Sequence, residues 1–235
     1  MKPLGRKAYG SIPHLPGSRL GPGDHSCHAG QAEIALRKVR DRHDVITVTE
    51  KLDGSCCAIA RIGDAIHALG RAGFPAETSP HRQHVLFAEW VREREIELIN
   101  ALPDGTRLVG EWMIQAHGTR YLIDDPRLLF VPFDLMVDGR RLPQQQMRDV
   151  AERAGLTPAP IVGIGPMTVE QAEAAPHDQR WRPIDGREGF VWRVERKGEA
   201  DFLAKFVRRD KQDGLYLPEL TGAQAVWNYP VGEMA

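Results

Sequence analysis

From Val45 onward the chain is a succession of short apolar runs, each cut off by glycine, proline or aspartate, and this pattern limits the fold more than any other feature. Runs of a few β-branched and aromatic residues bounded by turn formers predict strands at Val45, Ile46 and Val48, then over 56–62, 65–69, 107–113, 128–137, 161–164, 190–194 and 202–207. Gly63-Asp64 suits a tight hairpin, the 195–200 connection with Gly198 suits another, and Asp138-Gly139 marks a turn. Between 80 and 100, Phe87, Trp90, Val91, Leu98 and Ile99 recur at helical intervals among charged residues, and 103–105 (Pro-Asp-Gly) ends that stretch. Shorter helices are expected over 144–153 and 168–175. Residues 1–30 are rich in glycine, proline and histidine and read as a long loop or lid. The fold class is α+β with mostly antiparallel pairing, and 235 residues default to one domain (1–235), with 1–44 a loop-rich N-terminal segment and 210–235 a short C-terminal extension.

Thirty-one basic residues against thirty-two acidic ones leave a formal net charge of −1, so no global field draws in nucleic acid and any such footprint is local. Lys2, Arg6, Lys7 and Arg19, on the flexible N-terminal segment, suit phosphate contacts to RNA as well as they suit a solvated tail. Cys27, Cys56 and Cys57 are too few for a disulfide framework and fit a reducing, cytoplasmic compartment. No apolar run approaches the ~20 residues that span a membrane. His25, Cys27 and His28, like His81 and His84, lack a familiar zinc spacing. The segment 215–235, with Tyr216, Trp227 and Tyr229, is expected to dock on the core.

The chemistry concentrates in the hexapeptide Glu50-Lys51-Leu52-Asp53-Gly54-Ser55, where an amine stands beside a carboxylate and a glycine. Lysine holds a phosphate as a cation and attacks phosphorus as a neutral amine. Asp53 would orient that amine, and Gly54 would let backbone approach phosphate. Downstream, in order, come Gly70-Arg71-Ala72-Gly73, Leu108-Val109-Gly110-Glu111-Trp112, Phe130-Val131-Pro132-Phe133-Asp134, Glu188-Gly189-Phe190-Val191 and Leu203-Ala204-Lys205-Phe206-Val207-Arg208.

In order and spacing, between about Val45 and Arg209, these segments resemble the motifs of the covalent nucleotidyltransferases, the superfamily of DNA ligases, RNA ligases and messenger-RNA capping enzymes, and most closely the nick-sealing ATP-dependent RNA ligases. The resemblance implies an ATP-grasp-like ligase adenylation domain of two mainly antiparallel sheets flanked by helices. It also implies RNA ligase activity in three steps: Lys51 takes AMP from ATP, AMP moves to an RNA 5′-phosphate, and an RNA 3′-hydroxyl displaces it. Glu50 would help position the adenine, and Arg71 would hold ribose and phosphate. Glu111 would bind ribose or metal, Phe130 or Phe133 would stack on the base, Asp134 is a further polar candidate, and Glu188 would bind Mg2+ or Mn2+. Arg71, the metal and Lys205 would help Lys51 lose its proton. The family usually carries two lysines one residue apart where this chain has only Lys205, with Arg208, Arg209 or Lys211 left to replace the missing charge. An oligonucleotide-binding barrel is not expected in the 30 residues beyond Lys205, fewer than the ~50 of an independent domain. The expected partners are RNA ends bearing 5′-phosphate and 3′-hydroxyl, together with an end-healing protein. Alternatives are a GTP-using capping-type guanylyltransferase, a compact DNA ligase, or a nucleotide- or RNA-binding module that has lost turnover.

Overall fold

Five successive β-branched residues, Val45 to Thr49, favour extended backbone. In the computed structural model, which describes residues 1–233, they form the centre of a strand. In chain order the elements are α1 (Ala29–Leu36), β1 (Asp44–Lys51), β2 (Ser55–Ile62), β3 (Ala65–Gly70), α2 (Arg82–Glu93), α3 (Glu95–Ala101), β4 (Thr106–Trp112), β5 (Tyr121–Leu122), β6 (Phe130–Val137), β7 (Arg140–Arg141), α4 (Gln144–Arg153), β8 (Ile161–Ile164), α5 (Val169–Ala174), β9 (Arg182–Pro183), β10 (Gly189–Arg196), β11 (Glu199–Val207) and α6 (Pro218–Thr221). One sheet has the order β11-β10-β1-β8, a second has β3-β2-β4-β6-β7, and β5 pairs with β9 in a small ribbon. All of these pairings are antiparallel.

Each main sheet buries one face under helices. Ile46 and Val48 of β1 pack with Phe190, Trp192 and Phe206, and Ala32 and Ala35 of α1 close over them. On the second sheet, Trp112 and Phe130 meet Phe87 and Trp90 of α2, with ring centroids 5.3 to 5.9 Å apart. Such aromatic pairs add about 0.5–1.5 kcal/mol each beyond the area they bury. The other faces look at one another across a cleft. Arg193 on β10 bonds Asp134 on β6 and ties the two sheets together.

The α+β class and the paired sheets agree with the sequence reading, and most elements end within one or two residues of their expected limits. The helical stretch between 80 and 100 is instead two helices broken at Arg94, whose N–H closes a tight turn onto the Val91 carbonyl (3.1 Å). β6 starts at Phe130 because Pro126–Leu128 forms a 3₁₀ turn, and β11 starts early, at Glu199. The N-terminal loop is tightly pinned: Lys205 donates its backbone N–H to Pro13 (2.9 Å) and accepts from Leu15 (2.8 Å), so residues 13–15 lie along the free edge of β11. At the other end Tyr229 is buried in the core with Trp227 packed against it. Asn228 accepts from the Tyr121 N–H and donates to the Met113 carbonyl, both at 2.8 Å. Met234 and Ala235, the end of the segment expected to dock, lie outside the described residues. No helix among the described residues is long and apolar enough to cross a membrane.

Candidate active site

Side chains alternate along a strand, so Thr49 and Lys51 face one way from β1 while Val48 and Glu50 face the other. Thr49 and Lys51 look into the cleft between the sheets, an opening of about 900 Å3. Lys51 is the last residue of β1, and Leu52-Asp53-Gly54 carries the chain straight across into β2 of the other sheet. The hexapeptide is thus the crossing between the sheets, and its lysine stands where they diverge.

Three carboxylates gather around that amine. Lys51 Nζ donates to Glu188 Oε2 at 2.5 Å, because Glu188 directly precedes Gly189, the cross-strand partner of Lys51. A Cβ at Gly189 would overlap the Phe206 carbonyl of β11, so only glycine lets Glu188 sit this close. Asp53 is fixed by its own N–H, which donates to Tyr121 Oη (3.1 Å), and by the Gly118 N–H, which donates to Oδ2 (2.8 Å). Glu111 accepts from the Gly54 N–H at 3.0 Å. A Cβ at Gly54 would lie 2.5 Å from the Trp112 carbonyl, so that glycine serves the packing of the crossing onto β4.

Burial pushes the Lys51 amine toward its neutral form, but Glu188, Glu111 and Asp53 outweigh it and hold the amine above the ordinary lysine range. The sequence reading named Arg71, the metal and Lys205 as lowering it and left out the opposing pull of these carboxylates. Burial likewise raises Glu111 to about 7, against the opposing pull of Lys51. Asp53, Glu111 and Glu188 offer the hard oxygen donors that suit Mg2+ or Mn2+. Among the described residues no group of three or more such side chains is arranged to hold a metal ion by itself.

The remaining expected residues divide by the face on which they fall. Arg71 lines the cleft, where its Nη2 donates to the Gly10 carbonyl at 3.3 Å. Phe133 also lines it, edge-on to Tyr9, whereas Phe130 is fully buried in the aromatic cluster on the opposite face and is not available to a ligand. Asp134 is corrected too: it is completely buried, its oxygens taken by Tyr9, Arg141 and Arg193. Glu50 borders the cleft, but its carboxylate turns to the other face, where His177 (3.2 Å) and Arg187 (3.5 Å) hold it. Lys205 reaches the cleft from β11 and lies 3.6 Å from Asp24. Burial, with Lys51 nearby, lowers its affinity for a proton.

Motif spacing leaves Lys211 only a substitute's place, yet the structure makes it central. It is 6% exposed, bonds Glu188 and lies 2.9 Å from Asp53 Oδ1, so two lysines share Glu188. Its distance beyond β11 hides it from any reading based on spacing. His84 and His117 also line the cleft: His84 bridges the hydroxyls of Ser55 (2.6 Å) and Ser79 (2.7 Å), and burial lowers both rings to about 4.

A profile of the RNA ligase family matches residues 44–207. No curated protein matches the chain in sequence. Among solved structures, the RNA ligase of Naegleria gruberi with pyrophosphate is 22% identical with a TM-score of 0.50, covering 77% of this chain and 53% of that one. An alanine mutant of the same ligase with ATP and manganese is 18% identical with a TM-score of 0.51, covering 83% and 58%. At such identities the likeness speaks for the fold, and the chain spans little more than half the length of these structures. The family profile, covering well over half of the sequence and every part of the cleft carried by β1, β4, β10 and β11, places this chain in the RNA ligase family.

Proposed function

We propose that the chain is an ATP-dependent RNA ligase that joins 3′-hydroxyl and 5′-phosphate ends through a lysyl-AMP at Lys51 and an AMP-capped RNA. The observation that carries this reading is the Lys51 amine beside Glu188 at the floor of the cleft, with Asp53 and Glu111 close by. With bound metal offsetting the surrounding carboxylates, the Lys51 ammonium would first lose one proton to solvent; the neutral Nζ then attacks the α-phosphorus of ATP, the N–P bond forms as the bond to the β-phosphate oxygen breaks, pyrophosphate leaves with the electron pair, and the second nitrogen proton passes to solvent. Glu188 and Asp53 aim the amine. Arg71 and Lys205 take phosphate oxygens, and Phe133 offers its face to the adenine. Glu111 and Glu188 would hold Mg2+ or Mn2+, which when bound neutralises charge on the phosphates. The Naegleria ligase structures with ATP and manganese, and with pyrophosphate, support these ligands.

We read 1–235 as one nucleotidyltransferase domain, supported by the pinning of residues 13–15 on β11 and of Lys211 on Glu188. The three unpaired cysteines support a cytoplasmic compartment, and an end-healing protein would supply the ends. The test is incubation with ATP and either metal, followed by intact mass. Wild type gains one AMP, Lys51→Ala gains none, and the charged enzyme seals nicked RNA in preference to nicked DNA. A wild type left unmodified under both metals refutes the proposal.

A further inference from the structure

Residues 6–10 precede the span matched by the family profile, yet this segment helps to wall the cleft: Tyr9 and Gly10 line it, followed by Ile12. A glycine makes room for the crossing. Gly73 has a φ of +87°, and a Cβ there would fall 2.1 Å from the Arg6 carbonyl oxygen, so the second glycine of Gly70-Arg71-Ala72-Gly73 is where the N-terminal segment passes over the turn. Ala8 and Tyr9 donate their N–H groups to the Arg71 carbonyl (3.1 and 3.3 Å). From the other sheet face, Arg107 Nε donates to the Ala8 carbonyl at 2.8 Å. The backbone at 8–9 is thus pinned from both sides.

From this fixed strip Tyr9 reaches Phe133. The two rings meet at 66° with centroids 5.2 Å apart, the Arg141 guanidinium lies 5.1 Å over the Tyr9 ring, and the Tyr9 hydroxyl donates to Asp134, the residue after Phe133. Phe133 itself sits where β6 slips against β4: Gly110 pairs with Pro132 and Val109 with Asp134, which leaves Phe133 as the extra residue of a bulge. A bulge re-aims a side chain, and its extra residue has no cross-strand partner to hold the new direction. Tyr9 supplies that hold. An edge-to-face pair fixes the angle between two rings, and Tyr9 covers at most one face of Phe133, a half-buried ring that still lines the cleft.

We propose that Tyr9 is a positioning residue for the nucleotide: it holds the bulged Phe133 ring at the angle in which a face meets the adenine, and so makes the N-terminal segment part of the nucleotide site. The proposal rests on the reading of the cleft as an ATP site. It is tested by equilibrium dialysis with AMP, which fills the base subsite and has no pyrophosphate to lose. Tyr9→Leu is expected to weaken AMP binding about two- to tenfold, the worth of one edge-on aromatic pair. Tyr9→Phe keeps the ring, loses only the hydroxyl, and binds as wild type does. Because Tyr9 acts through Phe133, Tyr9→Leu adds little to the loss when Phe133 is already alanine. Tyr9→Met carries the same expectations if Tyr9→Leu does not fold. AMP affinity unchanged by loss of the Tyr9 ring, equal losses in the Phe and Leu variants, an undiminished loss in the Phe133→Ala background, or a wild type that binds no AMP overturns the proposal. Intact-mass adenylylation of Lys51 is followed in parallel. A Tyr9-dependent AMP affinity without lysyl-AMP would leave this role standing and sink the ligase reading; lysyl-AMP with an affinity indifferent to Tyr9 would do the reverse.

Discussion

Replacing Lys211 by methionine keeps the length of the side chain and removes its charge. The ammonium sits between Glu188 and Asp53, almost sealed from solvent, with Asp213 at 3.7 Å. Without it Glu188 keeps only Lys51, and the Asp53 carboxylate keeps only the Gly118 N–H. Removing one partner of a buried ion pair costs about 3–5 kcal/mol. Because each carboxylate retains one donor, the lower end of that range, about 3 kcal/mol, is expected. For a chain of this size that loss lowers the melting temperature by about 6–12 °C. Urea unfolding of Lys211→Met, Glu188→Gln and the double variant measures the coupling directly. If Lys211 acts through Glu188, the double variant loses about 1–3 kcal/mol less than the sum of the two. A single-variant cost below about 1 kcal/mol, or losses that add within about 0.5 kcal/mol, would refute the reasoning.

The two phenylalanines separate structure from ligand binding: Phe130→Ala should cost about 3–5 kcal/mol of stability. Phe133→Ala should cost far less and instead raise the KM for ATP, by the factor that corresponds to about 1–3 kcal/mol of base stacking; the reverse assignment would show in the same two measurements. Gly54→Ala, which drives a methyl group against the Trp112 carbonyl, should destabilise the protein by about 1–3 kcal/mol in urea, and a neutral substitution would disprove the close approach. His84 and His117 titrate near 4 in the fold and near 6.5 unfolded, so the unfolded chain binds more protons between those values and stability falls as pH drops through that window. Discounted for partial exposure, the pair should lose about 2 kcal/mol between pH 7 and pH 5, and His84→Gln/His117→Gln should flatten that slope. An unchanged slope in the double variant would place the titration elsewhere.

Much of the architecture could be read from the chain because short β-branched runs and turn formers act locally. Lys51, Asp53, Glu111 and Glu188 could be located because an ordered series of motifs fixes them relative to strand ends. Alternation along a strand held more information than the motifs did: adjacent residues of β1 cannot share a face, which separates Glu50 from Lys51, and the odd spacing of Phe130 and Phe133 sends only one ring into the cleft. The charge state of Lys51 was illegible because it depends on carboxylates from three parts of the chain. Asp24 was illegible, and Lys211 legible only as one of three stand-ins for a missing charge, for a related reason: each meets its partner, Lys205 or Glu188, from a segment without regular structure, where no period constrains position.

The strip of backbone that residues 13–15 lay along β11 has a practical outcome for anyone trimming the protein. A version cut to the family span of 44–207 would retain the nucleophile while shedding Asp24 and Lys211, the counterions of Lys205 and Glu188. It would also leave β11 with a bare row of amides and carbonyls open to pairing with a neighbouring molecule. Clumping and a weakened cleft would then arrive together, and the shortest recognisable span would be a poor guide to the shortest working one.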